Sequence, residues 1–304
     1  MPEQSNRLAE KFRLPDKTRV GPPVLRVKDL EDMLSFYRDT LGLRINHRER
    51  DRIDELEYVE LGFGKVGDTL LALKQDQNAT ETPHDFAGLY HFAILVPDRK
   101  SLAQAYSGIE RSQVRFDGFG DHLVSESLYL HDPERNGIEI YRDRPQTEWI
   151  YEDGKVRMDT LPLDLDGILR ELSPEERGTS EVFPSGARIG HMHLRVTDLE
   201  RSASFYHEKL GFNVTADWSS MGAMFLSAGG YHHHIGLNTW HSLGGRRHET
   251  GEAGLDSFTI EIPSDHSPMN ELESSLGSAV EKKLSEKELL VSDPDGIKIM
   301  IRSH

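Results

Sequence analysis

The chain has no cysteine among its 304 residues. That excludes disulfides, thiolate nucleophiles, iron–sulfur clusters and cysteine-type zinc sites, so a metal would have to be held by His, Asp, Glu or other oxygen donors. Positive charge is also short: 36 Lys and Arg stand against 52 Asp and Glu, a formal net charge of −16. Phosphate backbones are bound by clustered cations, so a small molecule is the expected partner and nucleic acid is not. No apolar run approaches the roughly 20 residues that span a bilayer, and the start, MPEQSNRLAEKFRLPDKTRV, has no apolar stretch of the signal-peptide kind. These absences predict a cytoplasmic globular protein with no membrane partner. They leave a homo-oligomer open.

What is present is repetition. PPVLRVKDLEDMLSFYRDTLGL (22–43) aligns without gaps on HMHLRVTDLERSASFYHEKLGF (191–212). GLYHFAILVP (88–97) aligns on GLDSFTIEIP (254–263), and DPERNGIEI (132–140) on DPDGIKIMI (293–301). The length suits two domains, each with its own core, and each half itself holds two similar units. In each unit an alternating strand leads into an amphipathic helix, with Asp29 and Asp198 as N-caps in the first and third. About three short strands follow. The expected class is α+β, with four βαβββ modules. The expected domains are 18–148 (modules 1 and 2) and 188–304 (modules 3 and 4), joined by a charged, proline-flanked connection, 149–187, with a short helix in LDLDGILREL. The DPERNG and DPDG stretches read as turns, not calcium loops.

The string LRVxDLExxxxFYxxxLG, the GLYHFAILVP-type strand and DPxxNGIEIY resemble the vicinal oxygen chelate superfamily, which includes glyoxalase I, bleomycin resistance proteins and extradiol ring-cleaving dioxygenases. NGIEIYRDRPQTEW and GGYHHHIGLNTW are similar to its two-domain catechol 2,3-dioxygenase-like branch. The resemblance implies that paired modules curl into half-barrels, one of which holds a divalent metal. A His early in a module's first strand and a Glu in its last strand are the implied ligand positions.

The matched positions are Pro22 in module 1, His91 and Glu139 in module 2, His191 in module 3, and Ser257 and Met300 in module 4. Only modules 2 and 3 keep ligating side chains. Strand parity points the same way: Phe92, Ile94 and Val96 share one face and His91 takes the other, and Glu139 lies opposite Ile138 and Ile140. Met192, Leu194 and Val196 likewise put His191 and His193 on the opposite face. Two His and one carboxylate suit Fe(II) and leave positions open for substrate and O2, although Mn(II), Ni(II) and Zn(II) accept the same donors. His91, Glu139 and His191 can meet only if modules 2 and 3 share one half-barrel, and the pattern of lost ligands favours that pairing. The bland alternative is that Glu139 is neutralised by Arg142 or Arg195.

The resemblance implies an Fe(II)-dependent extradiol-type dioxygenase acting on a catechol or hydroquinone-like aromatic with O2. A glyoxalase-like isomerase or lyase and a non-catalytic binding protein remain as alternatives. Such chemistry calls for a proton-transferring histidine. Extending the alternation of Ile235 and Leu237 backwards puts His234 and His232 on the concave face and turns His233 to the helix layer. His234, His232 and Tyr141, which has the parity of Glu139, are the expected catalytic residues. His193 and His122 are expected near the pocket. His47, His131, His207, His241, His248, His266 and His304 have no comparable support.

Overall fold

The computed structural model describes residues 12–51, 54–64, 68–83, 85–178, 182–183, 186–264 and 268–303. His266 and His304 lie outside the described residues. Four βαβββ modules follow one another. Module 1 comprises β1 (Arg19–Val27), α1 (Leu30–Ser35), β2 (Arg44–Arg50), β3 (Glu57–Gly62) and β4 (Thr69–Gln75). Module 2 comprises β5 (Gly88–Leu95), α2 (Arg99–Arg111), β6 (Gly118–Asp121), β7 (Ser125–His131) and β8 (Gly137–Asp143). The connection holds β9 (Tyr151–Glu152), β10 (Lys155–Val156) and α3 (Leu165–Leu169). Module 3 comprises β11 (Arg188–Arg195), α4 (Leu199–Ser204), β12 (Asn213–Trp218), β13 (Ala223–Ser227) and β14 (Ile235–Asn238). Module 4 comprises β15 (Gly254–Ile262), α5 (Met269–Leu276), β16 (Val280–Ser285), β17 (Glu288–Ser292) and β18 (Lys298–Ser303).

Helix starts follow the caps. Asp29, Asp98, Asp164 and Asp198 each accept a backbone N–H of the first turn, at 3.0, 2.8, 2.9 and 3.0 Å. The helices of modules 1 and 3 run on through their FY dipeptides as π-helical turns, Phe36–Thr40 and Phe205–Lys209.

The strands form two eight-stranded mixed sheets, ordered β16-β17-β18-β15-β1-β4-β3-β2 and β12-β13-β14-β11-β5-β8-β7-β6. Modules 1 and 4 therefore build one sheet, and modules 2 and 3 the other. Both sheets cross the sequence division between 18–148 and 188–304. Within each module the first and last strands pair in parallel, while the two first strands meet antiparallel at the sheet centre. The apolar faces of the central strands, with Phe92, Ile94, Met192 and Leu194, join Leu102 and Ile109 of α2 in a buried core that takes in residues from both sheets.

Sequential modules are tied across the two sheets by the FY tyrosines. Tyr37 of module 1 donates to Asp132 in the β7–β8 turn of module 2, at 2.8 Å. Tyr206 of module 3 donates to Asp293 in the β17–β18 turn of module 4, at 3.0 Å. The DP motifs thus act as buried acceptors as well as turns. Burial and the neighbouring Asp295 push the Asp293 carboxyl up to about 7. Its folded value lies above the roughly 3.9 of an unfolded Asp, so its contribution is complete below about pH 4 and is lost as pH rises toward 7. Asp293→Asn should therefore flatten the pH dependence of stability between about pH 4 and 7, read as Tm against pH. An unchanged slope would show that another group sets it.

On the first sheet, Ser257 pairs with Lys298 and Met300 with Thr259, and Pro22 falls in an irregular stretch of β1. Pro22, Ser257 and Met300 offer neither the imidazole nor the carboxylate found at the matching positions of the second sheet. The face beyond them carries an ion cluster in which Arg26 meets Asp76, Asp256 and Asp54 at 2.9, 2.5 and 3.2 Å. Lys74 joins it through Asp256, Asp54 and Asp51 at 3.0, 3.2 and 3.3 Å.

Candidate metal centre

The second sheet brings its ligand-type residues together through register. Ala93 on β5 is paired with His191 on β11 and with Glu139 on β8. Its methyl group lets the two longer side chains converge over it. His91 sits two residues along the same face, opposite His193. One Glu139 oxygen, Oε2, lies 2.9 Å from His91 Nε2 and 3.0 Å from His191 Nε2. Ligand atoms of His91, Glu139 and His191 all fall within 4.8 Å of one another. All three residues are buried. A bulge at Gly190 sets the approach of His191, and a Cβ at that glycine would stand 1.8 Å from the Tyr141 hydroxyl.

The electrostatics suit a cation. Burial pushes Glu139 up, but His191 and His91 outweigh it and hold the carboxyl well below the usual carboxylate range. Burial lowers His191 to about 4 against the opposing pull of Glu139, so its imidazole is neutral at ordinary pH. The His91 Nε2 is buried with no satisfactory hydrogen bond, despite its closeness to Glu139. The neutral His191 imidazole, the depressed Glu139 carboxyl and a buried His91 Nε2 with no satisfactory hydrogen bond form a donor set that a divalent metal would satisfy. Against the arginine alternative, Arg142 bonds Glu126 at 2.7 Å, and the groups that meet Glu139 Oε2 are His91 and His191.

Beside these residues opens a cavity of about 670 Å³. Tyr90, Phe225 and Trp240 supply aromatic walls, with the Tyr90 and Trp240 rings 5.3 Å apart at 78°. Met158 brings the connection to the cavity wall, while Arg195 lines it from β11.

A family model described as the glyoxalase/bleomycin resistance protein/dioxygenase superfamily matches residues 19–140 and 188–301. The chain belongs to this superfamily. It is 41% identical over 250 residues to a catechol-2,3-dioxygenase of Bacillus subtilis, covering 82% of this chain and 84% of that one. It is 26% identical over 202 residues to a lactoylglutathione lyase of Schizosaccharomyces pombe, covering 64% of this chain and 60% of that protein. The crystal structure of a putative dioxygenase from Bacillus subtilis matches its fold with a TM-score of 0.64 at 13% identity, over 96% of this chain and 86% of that one. Glyoxalase I from Zea mays does so with a TM-score of 0.54 at 16% identity, over 94% and 92%.

In this superfamily member the position of module 3 that corresponds to Glu139 is Gly236. It pairs with His193 as Glu139 pairs with Ala93. A Cβ there would come within 3.0 Å of the His193 ring, so the ring occupies the space a fourth ligand's side chain would need. Burial holds His193 well below the usual histidine range, and its Nε2 has no hydrogen bond.

The expected orientations of the three consecutive histidines are reversed. β14 begins only at Ile235, so strand alternation does not extend back through 232–234. His233 lines the cavity, with its ring 4.2 Å from that of His191. His232 is fully buried and bonds Asp143 at 2.9 Å. His234 turns away from the cavity, its Nδ1 facing Ser227 Oγ at 2.8 Å and accepting from the Ala228 N–H at 3.2 Å. Tyr141 packs its ring 4.9 Å from His191, and its hydroxyl meets that of Tyr231 at 2.7 Å, behind the centre and not in the cavity.

Two further residues reach the cavity. Tyr129 stands opposite Glu139 on β7, and its hydroxyl lies 2.7 Å from His122 Nε2. The period-2 pattern of LVSESLYL could have flagged Tyr129, since it shares a face with Ser127. His131 and His241 also line the cavity, while His248 pairs with Glu252 elsewhere.

Proposed function

We propose that the chain is an extradiol-type ring-cleaving dioxygenase that holds Fe(II) at His91, Glu139 and His191 and opens a catechol or hydroquinone-like ring with O2. The observation that carries this reading is the convergence of two buried imidazoles on one buried carboxylate beside an aromatic-walled cavity. The 41% identity to a catechol-2,3-dioxygenase supports it. Gly236 at the position matching Glu139 leaves no second carboxylate, which favours this reading over a glyoxalase-like isomerase. Bound there, the metal supplies Lewis acidity toward the substrate's oxygens and the redox chemistry that O2 requires.

The chain's own residues do the rest. Tyr90, Phe225 and Trp240 hold a flat ring by edge and face contacts. A carbonyl only accepts, so His122 Nδ1–H donates to Asp159 O at 2.9 Å. Tyr129 lines the cavity with its hydroxyl 2.7 Å from His122 Nε2, where it can bond a substrate oxygen. Burial and Glu139 push the Tyr129 hydroxyl well above its usual range, so it keeps its proton through the reaction.

Anaerobically purified protein should contain stoichiometric iron, and a panel of catechols and hydroquinones should include one that drives O2 uptake with ring opening seen in the visible spectrum. Tight binding of an aromatic with no O2 consumption would replace the reading with a non-catalytic binding protein.

A further inference from the structure

A second cavity, of about 620 Å³, opens where the two sheets meet the connection, and none of the residues that line it lines the cavity beside the metal centre. One wall comes from the start of β1, where the pairing with β15 slips between Val20 and Pro23, around Gly21 and Pro22. Another is made by Val182 and Phe183 of the connection, both buried. A Cβ at Gly108 of α2 would stand 2.8 Å from Val182 Cγ2, so the glycine lets this wall seat closely against the helix. Phe63, after β3, meets Phe183 edge-on at 6.4 Å. These walls are apolar, partly aromatic and held by the fold.

Three arginines reach this space from separate elements: Arg19 at the start of β1, Arg44 at the start of β2 and Arg188 at the start of β11. Arg44 lies over Gly64, where a Cβ would stand 3.1 Å from its Cδ, and Arg188 Nη1 donates to Ile189 O at 3.2 Å. Among the described residues no ion pair joins any of the three to a carboxylate. Asp68 and Glu261 also line the cavity, so the lining formally carries one more cation than anions. In a chain of net charge −16 such an excess is local, and it draws in an anion that the protein as a whole repels. A single carboxylate matches it, whereas a dianion exceeds it. Guanidinium groups suit that partner, because two parallel N–H donors fit the two oxygens.

We propose that this cavity is a second binding site, separate from the metal centre, for a monocarboxylate with an apolar aromatic body. The rings pack against Phe63 and Phe183, and the carboxylate turns to the arginines. Cavities of roughly 300–1,000 Å³ hold ligands of more than one ring, so the natural occupant is larger than a benzoate. The proposal does not depend on the dioxygenase reading, since no residue of the metal centre takes part in it.

The test titrates the full chain with naphthoate and with naphthamide, which share a shape and differ in charge, and follows the arginine side-chain Nε–H signals by NMR. The protein is stripped of metal so that no probe carboxylate is drawn to the metal centre, and Arg44→Lys, Arg188→Lys and Arg195→Lys assign the signals. Naphthoate should give saturable shifts at Arg44 and Arg188 and none at Arg195, which lines the other cavity. Naphthamide should bind roughly 10-fold more weakly, about the value of one hydrogen bond to a charged group. Arg44→Met and Arg188→Met, both at exposed positions, should each weaken naphthoate by a similar factor. Equal affinity for the two probes, shifts at Arg195 in place of Arg44 and Arg188, or no saturation at millimolar naphthoate would each overturn the proposal. All three outcomes are read on the unsubstituted protein, so a variant that fails to fold does not shelter it.

Discussion

His191→Ala leaves the protein folded and removes its metal and its O2 uptake. The imidazole is one of two that meet Glu139 Oε2, and its influence on that carboxyl is the larger. Residues that merely orient metal ligands cost roughly 10–100-fold in affinity or activity when lost, and removal of a ligand should exceed that. A fall in kcat/KM of at least about 10³-fold, ~4 kcal/mol of transition-state stabilisation, is expected. Stability should suffer little, because the substitution frees a carboxylate from one hydrogen bond while His91 stays 2.9 Å away. Metal analysis, an oxygen electrode and a thermal melt check the three parts. Stoichiometric iron with undiminished uptake in His191→Ala would show that the ion sits elsewhere.

Asp256→Ala should do the reverse, lowering stability by about 3 kcal/mol with the metal centre intact, because it strands buried cations. Asp256 accepts from both Arg26 and Lys74, whose side chains are each only 6% exposed. Asp54, Asp76 and Asp51 still touch them, which holds the loss near the lower end for a broken buried pair. Burial raises the Asp256 carboxyl, but Lys74 and Arg26 more than reverse this and leave it below its usual value. A carboxyl depressed in the folded state stabilises above its unfolded pKa of roughly 3.9 and loses that contribution as pH falls through the folded value. The difference in stability between the unsubstituted protein and Asp256→Ala should therefore shrink below about pH 4. Equal denaturant midpoints at pH 7 would show that the other aspartates suffice. The ion cluster of the first sheet is thus expected to be separable from the chemistry on the second.

Most of the architecture could be read from the repeats, because a βαβββ unit announces itself by local signals: a capping Asp, alternating apolar residues and a DP turn. His91, Glu139 and His191 stood out for the same reason, since each lies inside a regular strand where side chains alternate. The same rule misplaced His232, His233 and His234, which lie in a bend before β14. Tyr129 was legible in principle from β7, but nothing local shows that His122 folds back onto it.

The sequence by itself determined the modules, their helix caps and which strand faces carry histidine and carboxylate, all set by contacts a few residues apart. Only the tertiary structure decided that module 2 pairs with module 3, that FY tyrosines reach DP aspartates of the next module, and that His233 fronts the cavity in place of His234. Those outcomes depend on which strands share an edge and in what register, a choice made by burying two sheets' worth of apolar surface at once and invisible to any single stretch of chain.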